Sequence, residues 1–123
     1  MPAWRYKQMT GGAMRQAGIV AAGALWALEH HVDRLTEDHA NARVLADGLA
    51  GLPGVTLDPG SVETNIVAFG LADAGRFCTR LEAEHGVRMG ALGPDVVRAV
   101  THLDVDTGGV RRAVDAAAKV LTG

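Results

Sequence analysis

The sequence predicts an α/β chain in which long apolar helices precede a small antiparallel sheet, ordered β-β-α-β-β-α, with its helices on one face. Three patterns predict it. Residues 13–28 are apolar or small at nearly every position after Gln16. Residues 28–52 carry a single apolar stripe at helical spacing, and residues 55–122 alternate short apolar runs with two amphipathic stretches. With 123 residues, 48% of them hydrophobic, the chain can bury a core of one domain's size.

The opening Met1-Pro2-Ala3-Trp4-Arg5 lacks the apolar stretch of a secretory signal. Trp4, Arg5, Tyr6 and Lys7 are large residues that need a surface to lie on. The Gly11-Gly12 turn leads into the first long helix. Ala17, Gly18, Ala21, Ala22 and Gly23 make that helix slim, so another backbone can approach it closely. A chain this short cannot cover it on all sides, and another domain or subunit is expected against part of it.

Leu28, Val32, Leu35, Ala42, Leu45, Leu49 and Leu52 form the next stripe. Thr36 before Glu37 and Asp38 reads as an N-cap with acids in the first turn, so either a helix restarts there or one long helix bends. Pro53-Gly54 ends it. Residues 55–58 form a short strand, Asp58-Pro59-Gly60-Ser61 a turn, and residues 65–70 a buried strand. Residues 73–85 are helical, with Phe77, Leu81 and Cys78 inward and Gly86 as the C-cap. Residues 87–90 and 96–101 are the last strands. A closing helix over 106–122 presents Val110, Ala113, Val114, Ala117, Val120 and Leu121.

Several function classes fall away. The net charge is −2, and ten arginines and two lysines are scattered without a basic run, so nothing marks a nucleic-acid surface. The longest uncharged apolar stretch, between Arg15 and Glu29, is too short for a membrane span, and a cytoplasmic protein is expected. A single cysteine, Cys78, forbids an internal disulfide. The five histidines lack metal-ligand spacing, so no metal site is expected: His30 and His31 are adjacent and point to different sides of a helix.

Two arginines stand out. Arg98 lies mid-strand in VVRAVTH, where alternation puts it on the face of Val96 and Val100 and opposite Val97 and Ala99. A cation in an apolar strand is costly unless paired. Either it reaches a sheet edge or a local acid such as Asp95, or its planar fork meets a carboxylate ligand. Arg15 follows Gly11 and Gly12 at a helix start, where free N–H groups favour anions. It is either a solvated arginine after a turn or part of a phosphate site. His102, just past the last strand, either orients its loop or serves a site. Asp104 and Asp106 read as helix caps.

Taken together, GGAMRQAGIVAAGALWALEHHVDRLTEDHANARVLADGLA, VETNIVAF and VRAVTHLDV resemble, in that order, the C-terminal part of low-specificity threonine aldolases. These are fold-type I pyridoxal-phosphate enzymes that cleave β-hydroxy-α-amino acids such as threonine and allo-threonine to glycine and an aldehyde. The resemblance implies that residues 1–35 are the tail of the cofactor-binding large domain with an interdomain helix, and 36–123 the small C-terminal domain. It implies substrate-carboxylate binding by Arg98, and a place near the cofactor phosphate for Arg15, Gly11 and Gly12. It further implies a homo-oligomer, dimer or tetramer.

The sequence also departs from the family. Ala13 stands where many relatives have glycine. Gln8 stands where many have lysine, with Lys7 one step earlier and about 100° away around a helix. No lysine lies in the serine-lysine-glycine context that carries the Schiff base, so the chain alone is expected to be inactive. Two other readings remain open: a non-catalytic interaction or dimerisation module using the apolar helix, and a lyase of the same fold that performs β-elimination, since any such substrate carries an α-carboxylate.

Overall fold

The computed structural model describes residues 3–12 and 14–123. Its contacts divide it into two compact units, the first ending at Asp33 and the second spanning Arg34–Gly123. Among the described residues it is mixed α/β, with five α-helices and one three-stranded antiparallel sheet.

The first unit holds α1 (Ala3–Met9) and α2 (Ala17–His30). Trp4 and Tyr6 thus belong to a short helix that the sequence reading did not assign. Lys7 Nζ lies 5.0 Å from the Trp4 ring centroid, a cation–π contact. The turn that follows needs glycine at Gly11, where φ is +80°.

The slim helix starts four residues later than the expected residue 13, and Ala13 itself lies outside the described residues. At 14 residues, α2 is shorter than expected. The larger difference is burial. No residue of α2 is buried, and Ile19 is 77% exposed. Its last turn is ordered by rings: Trp26 stacks on His30 at 4.3 Å and meets His31 edge-on at 5.0 Å.

The second unit begins with α3 (Leu35–Ala50). The helix restarts rather than bends, but Thr36 is not its cap. The N-cap is Arg34, without a side-chain cap hydrogen bond. Arg34 instead holds Asp38 through both carboxylate oxygens, at 2.6 and 3.2 Å, one turn along. The helix ends at Ala50, three residues before Pro53.

The sheet order is β1-β3-β2, with β1 at Ile66–Gly70, β2 at Gly90–Ala91 and β3 at Val96–Val100. Four strands were expected. The segment 55–58 contributes only a bridge between Thr56 and Gly70. Of 87–90, only Gly90 joins the sheet, because β2 pairs through Gly90 and Ala91 alone.

Burial alternates along β1 and β3. Val67, Phe69, Val97 and Ala99 face the core, which α3, α4 (Ala74–His85) and α5 (Thr107–Thr122) cover. Phe77 and Leu81 of α4 are buried as expected, and Cys78 packs partly against them. Gly86 caps α4 in the left-handed conformation, φ +66°. Asp106 caps α5, its carboxylate accepting from the Gly109 N–H at 2.6 Å. The helices therefore lie on one face of the sheet, and the other face is open within this unit.

Candidate functional site

Arg98 sits on that open face, at the middle of the central strand. Antiparallel register places Ala68 opposite it on one side and Gly90 on the other. Both neighbours are small, so nothing of size stands beside the guanidinium across the strands. Along the strand Val96 and Val100 flank it, and Ile66 lies opposite Val100; all three are partly exposed. Asp95 does not pair with it. Among the described residues Arg98 has no hydrogen-bond or ion-pair partner.

The open sheet face changes the energetic question posed by the sequence. Arg98 is solvated, not buried, so its charge carries no burial cost in this unit. What the strand provides is a fixed Cα, a rigid apolar surround and a free fork. That combination suits bidentate contact with a carboxylate.

The strand's end is fastened firmly. Thr101 is 1% exposed, and each of its polar groups is used. Its N–H donates to the Asn65 carbonyl at 2.9 Å, and its own carbonyl accepts from Asn65 Nδ2 at 2.7 Å. Its hydroxyl donates to the Asp38 carbonyl of α3 at 2.6 Å. Next along, Asn41 Nδ2 donates to the Val105 carbonyl at 3.1 Å, and the Thr107 hydroxyl donates to Asn41 Oδ1 at 2.8 Å. Asn65 and Thr101 lie in the VETNIVAF and VRAVTHLDV segments, but nothing local in the sequence marks them as partners. Their pairing depends on register, which no local pattern reveals.

His102 is exposed. Its Nδ1 accepts from the Asp104 N–H at 3.3 Å and lies 3.7 Å from that carboxylate, so it orders its own loop. Asp104 caps no helix. A cavity of about 340 Å³ lies between residues 86–89, the end of β3 and the start of α5. Arg98 is not among its walls.

In the first unit, Arg15 is exposed in the turn before α2 and has no partner among the described residues. The glycines are occupied otherwise. Gly11 N–H donates to the Gln8 carbonyl at 3.3 Å and Gly12 N–H to the Lys7 carbonyl at 2.8 Å. Gly12 is also tight: a Cβ there would stand 3.1 Å from the Lys7 carbonyl oxygen. Their geometry closes α1 and leaves these two N–H groups no donor capacity for a ligand. No group of three or more His, Cys, Asp and Glu among the described residues is placed to hold a metal ion. No helix among them is long and apolar enough to cross a membrane.

The profile of the beta-eliminating lyase family matches residues 1–72, more than half of the chain. The chain belongs to that family. Among curated proteins it is similar to low-specificity L-threonine aldolase 1 of Arabidopsis thaliana, 32% identical over 85% of this chain and 30% of that protein. It is also similar to the low specificity L-threonine aldolase of Escherichia coli (strain K12), 39% identical over 82% of this chain and 29% of that protein. The chain thus spans about 30% of the length of the curated relatives it matches.

Proposed function

We propose that this chain is the C-terminal portion of a pyridoxal-phosphate-dependent lyase of threonine-aldolase type, and that Arg98 binds the α-carboxylate of the amino-acid substrate. The observation that carries the reading is the unpaired guanidinium of Arg98 on the open sheet face, flanked by Ala68 and Gly90. The relatives' names, L-threonine aldolases, support threonine as a substrate. Cleavage of threonine and allo-threonine to glycine and an aldehyde is what the family resemblance implies. Residues 1–35 form the tail of the large domain, and 36–123 the small domain.

Pyridoxal phosphate, when bound, supplies the electron sink for cleavage next to the amino-acid Cα. The residues of this chain fit that cofactor at one end only. Arg15 is a free cation suited to its phosphate. Gly11 and Gly12 shape the turn that presents Arg15, while their N–H groups stay within the chain. The ring finds no anchor here. The only lysines are Lys7, beside Trp4, and Lys119, in the last turn of α5. The part of the enzyme outside this chain provides that lysine, and the isolated chain is inactive. The complete enzyme is a cytoplasmic homo-oligomer.

The family's description favours one other reaction, β-elimination from an amino acid. Arg98 serves it equally, because both substrate classes carry an α-carboxylate. Product analysis of the complete enzyme separates the two. Glycine plus acetaldehyde from L-allo-threonine supports the aldolase reading. A 2-oxo acid plus ammonia, without glycine, assigns elimination.

A further inference from the structure

We infer that Thr101 is a positioning residue: it fixes the register and the end of β3, and through them the place of the Arg98 guanidinium. The inference rests on the carboxylate reading of Arg98.

Thr101 lies on the core face of the strand's continuation, in line with Val97 and Ala99. Valine has nearly the same shape and would fill that place without a hydroxyl to satisfy. A buried hydroxyl is costly unless it is bonded. Here it is bonded to one acceptor above all, the Asp38 carbonyl at 2.6 Å. That acceptor is itself fixed, because Asp38 is 3% exposed and its carboxylate is held by Arg34 at 2.6 and 3.2 Å. The hydroxyl therefore fastens the sheet to α3.

The backbone of Thr101, with the Asn65 amide, fastens the same point to β1 through two further bonds. Three restraints thus meet at one residue, three positions beyond Arg98. Register matters at that distance. β1 and β3 pair over only five residues, Ile66↔Val100 to Gly70↔Val96. A slip of one residue would turn Arg98 to the core and Val97 to solvent. The anchor at Thr101 opposes that slip and the fraying that precedes it.

The test compares Thr101→Val, Thr101→Ser and Arg98→Ala in the complete enzyme with L-allo-threonine. Thr101→Val removes the hydroxyl and keeps the volume. It should raise KM about tenfold, the size of one lost buried hydrogen bond, with kcat within about twofold. Thr101→Ser keeps the hydroxyl and should restore KM. A hydroxyl that only stabilises the fold would instead lower the active fraction, and so apparent kcat, with KM unchanged; that result overturns the inference.

Amide exchange in this chain gives a readout independent of activity. In Thr101→Val, protection of the residue-101 N–H should fall about tenfold. The Val110 N–H, bonded to the Asp106 carbonyl at the start of α5, should keep its protection. Equal protection of residue 101 in both chains overturns the inference. If Arg98→Ala raises KM and Thr101→Val does not, the positioning role alone is lost. If Arg98→Ala leaves KM unchanged, the carboxylate reading is lost and the inference with it.

Discussion

Arg98 and Cys78 show how single residues take their chemistry from the sheet and the helices around them. Arg98 has small neighbours across both strands and no internal partner, so its fork is available. Cys78 has the opposite setting. It packs against the core of the second unit, and burial raises its thiol pKa above the ordinary value. The folded chain therefore favours the neutral thiol. That preference contributes stability below the unfolded pKa and is lost as pH rises through the folded one, an alkaline window. At neutral pH, iodoacetamide should modify Cys78 more slowly in the folded chain than in urea. Equal rates would remove the burial account. The inward placement of Cys78 was legible from its spacing to Phe77 and Leu81. The free face of Arg98 was legible from alternation, but the openness of that face was not, because it depends on which elements cover the sheet.

At the scale of elements, α3 and α5 cross closely at Gly48. A Cβ there would stand 2.7 and 2.8 Å from the two Val114 methyl groups. Alanine at 48 gains helix propensity of about 1 kcal/mol but forces the crossing apart, and overpacking costs about 1–3 kcal/mol. Gly48→Ala should therefore lower the melting temperature, and adding Val114→Ala should restore it. A rise in the single variant would show that the crossing is loose. Asp106→Ala removes the cap of α5 and should cost about 1 kcal/mol, read as a lower denaturation midpoint. The amphipathic helices and the two longer strands were legible as periodicity. The lost strands were not: 55–58 and 87–90 carry the right residues but find only a bridge or a single paired position. Thr36 is not the cap because the helix begins one residue before it, at Leu35, which places Thr36 within the first turn.

For the whole molecule, the exposed apolar surface of α2 is the feature to explain. Ile19, Val20, Leu25, Trp26 and Leu28 are each more than half exposed. Contiguous apolar surface of this kind is a site of association or aggregation. Purified alone, the chain should self-associate with rising concentration, and Ile19→Lys with Leu28→Lys should reduce this in sedimentation velocity. A concentration-independent monomer would contradict it. The sequence signalled that such a helix needs a cover, through its slim, apolar character. It did not reveal that the described residues of its own unit leave α2 without a buried position.

The central claim is that Arg98 binds the substrate carboxylate, and it is tested most directly by the KM of Arg98→Ala in the complete enzyme. Hydrogen bonds to a charged group contribute about 1.5–3 kcal/mol, so KM for L-allo-threonine should rise roughly 10- to 150-fold. Cofactor retention should stay as in the parent enzyme, because Arg98 belongs to the carboxylate and not to the phosphate. A KM equal to that of the parent enzyme, with the variant folded and loaded, would contradict the account.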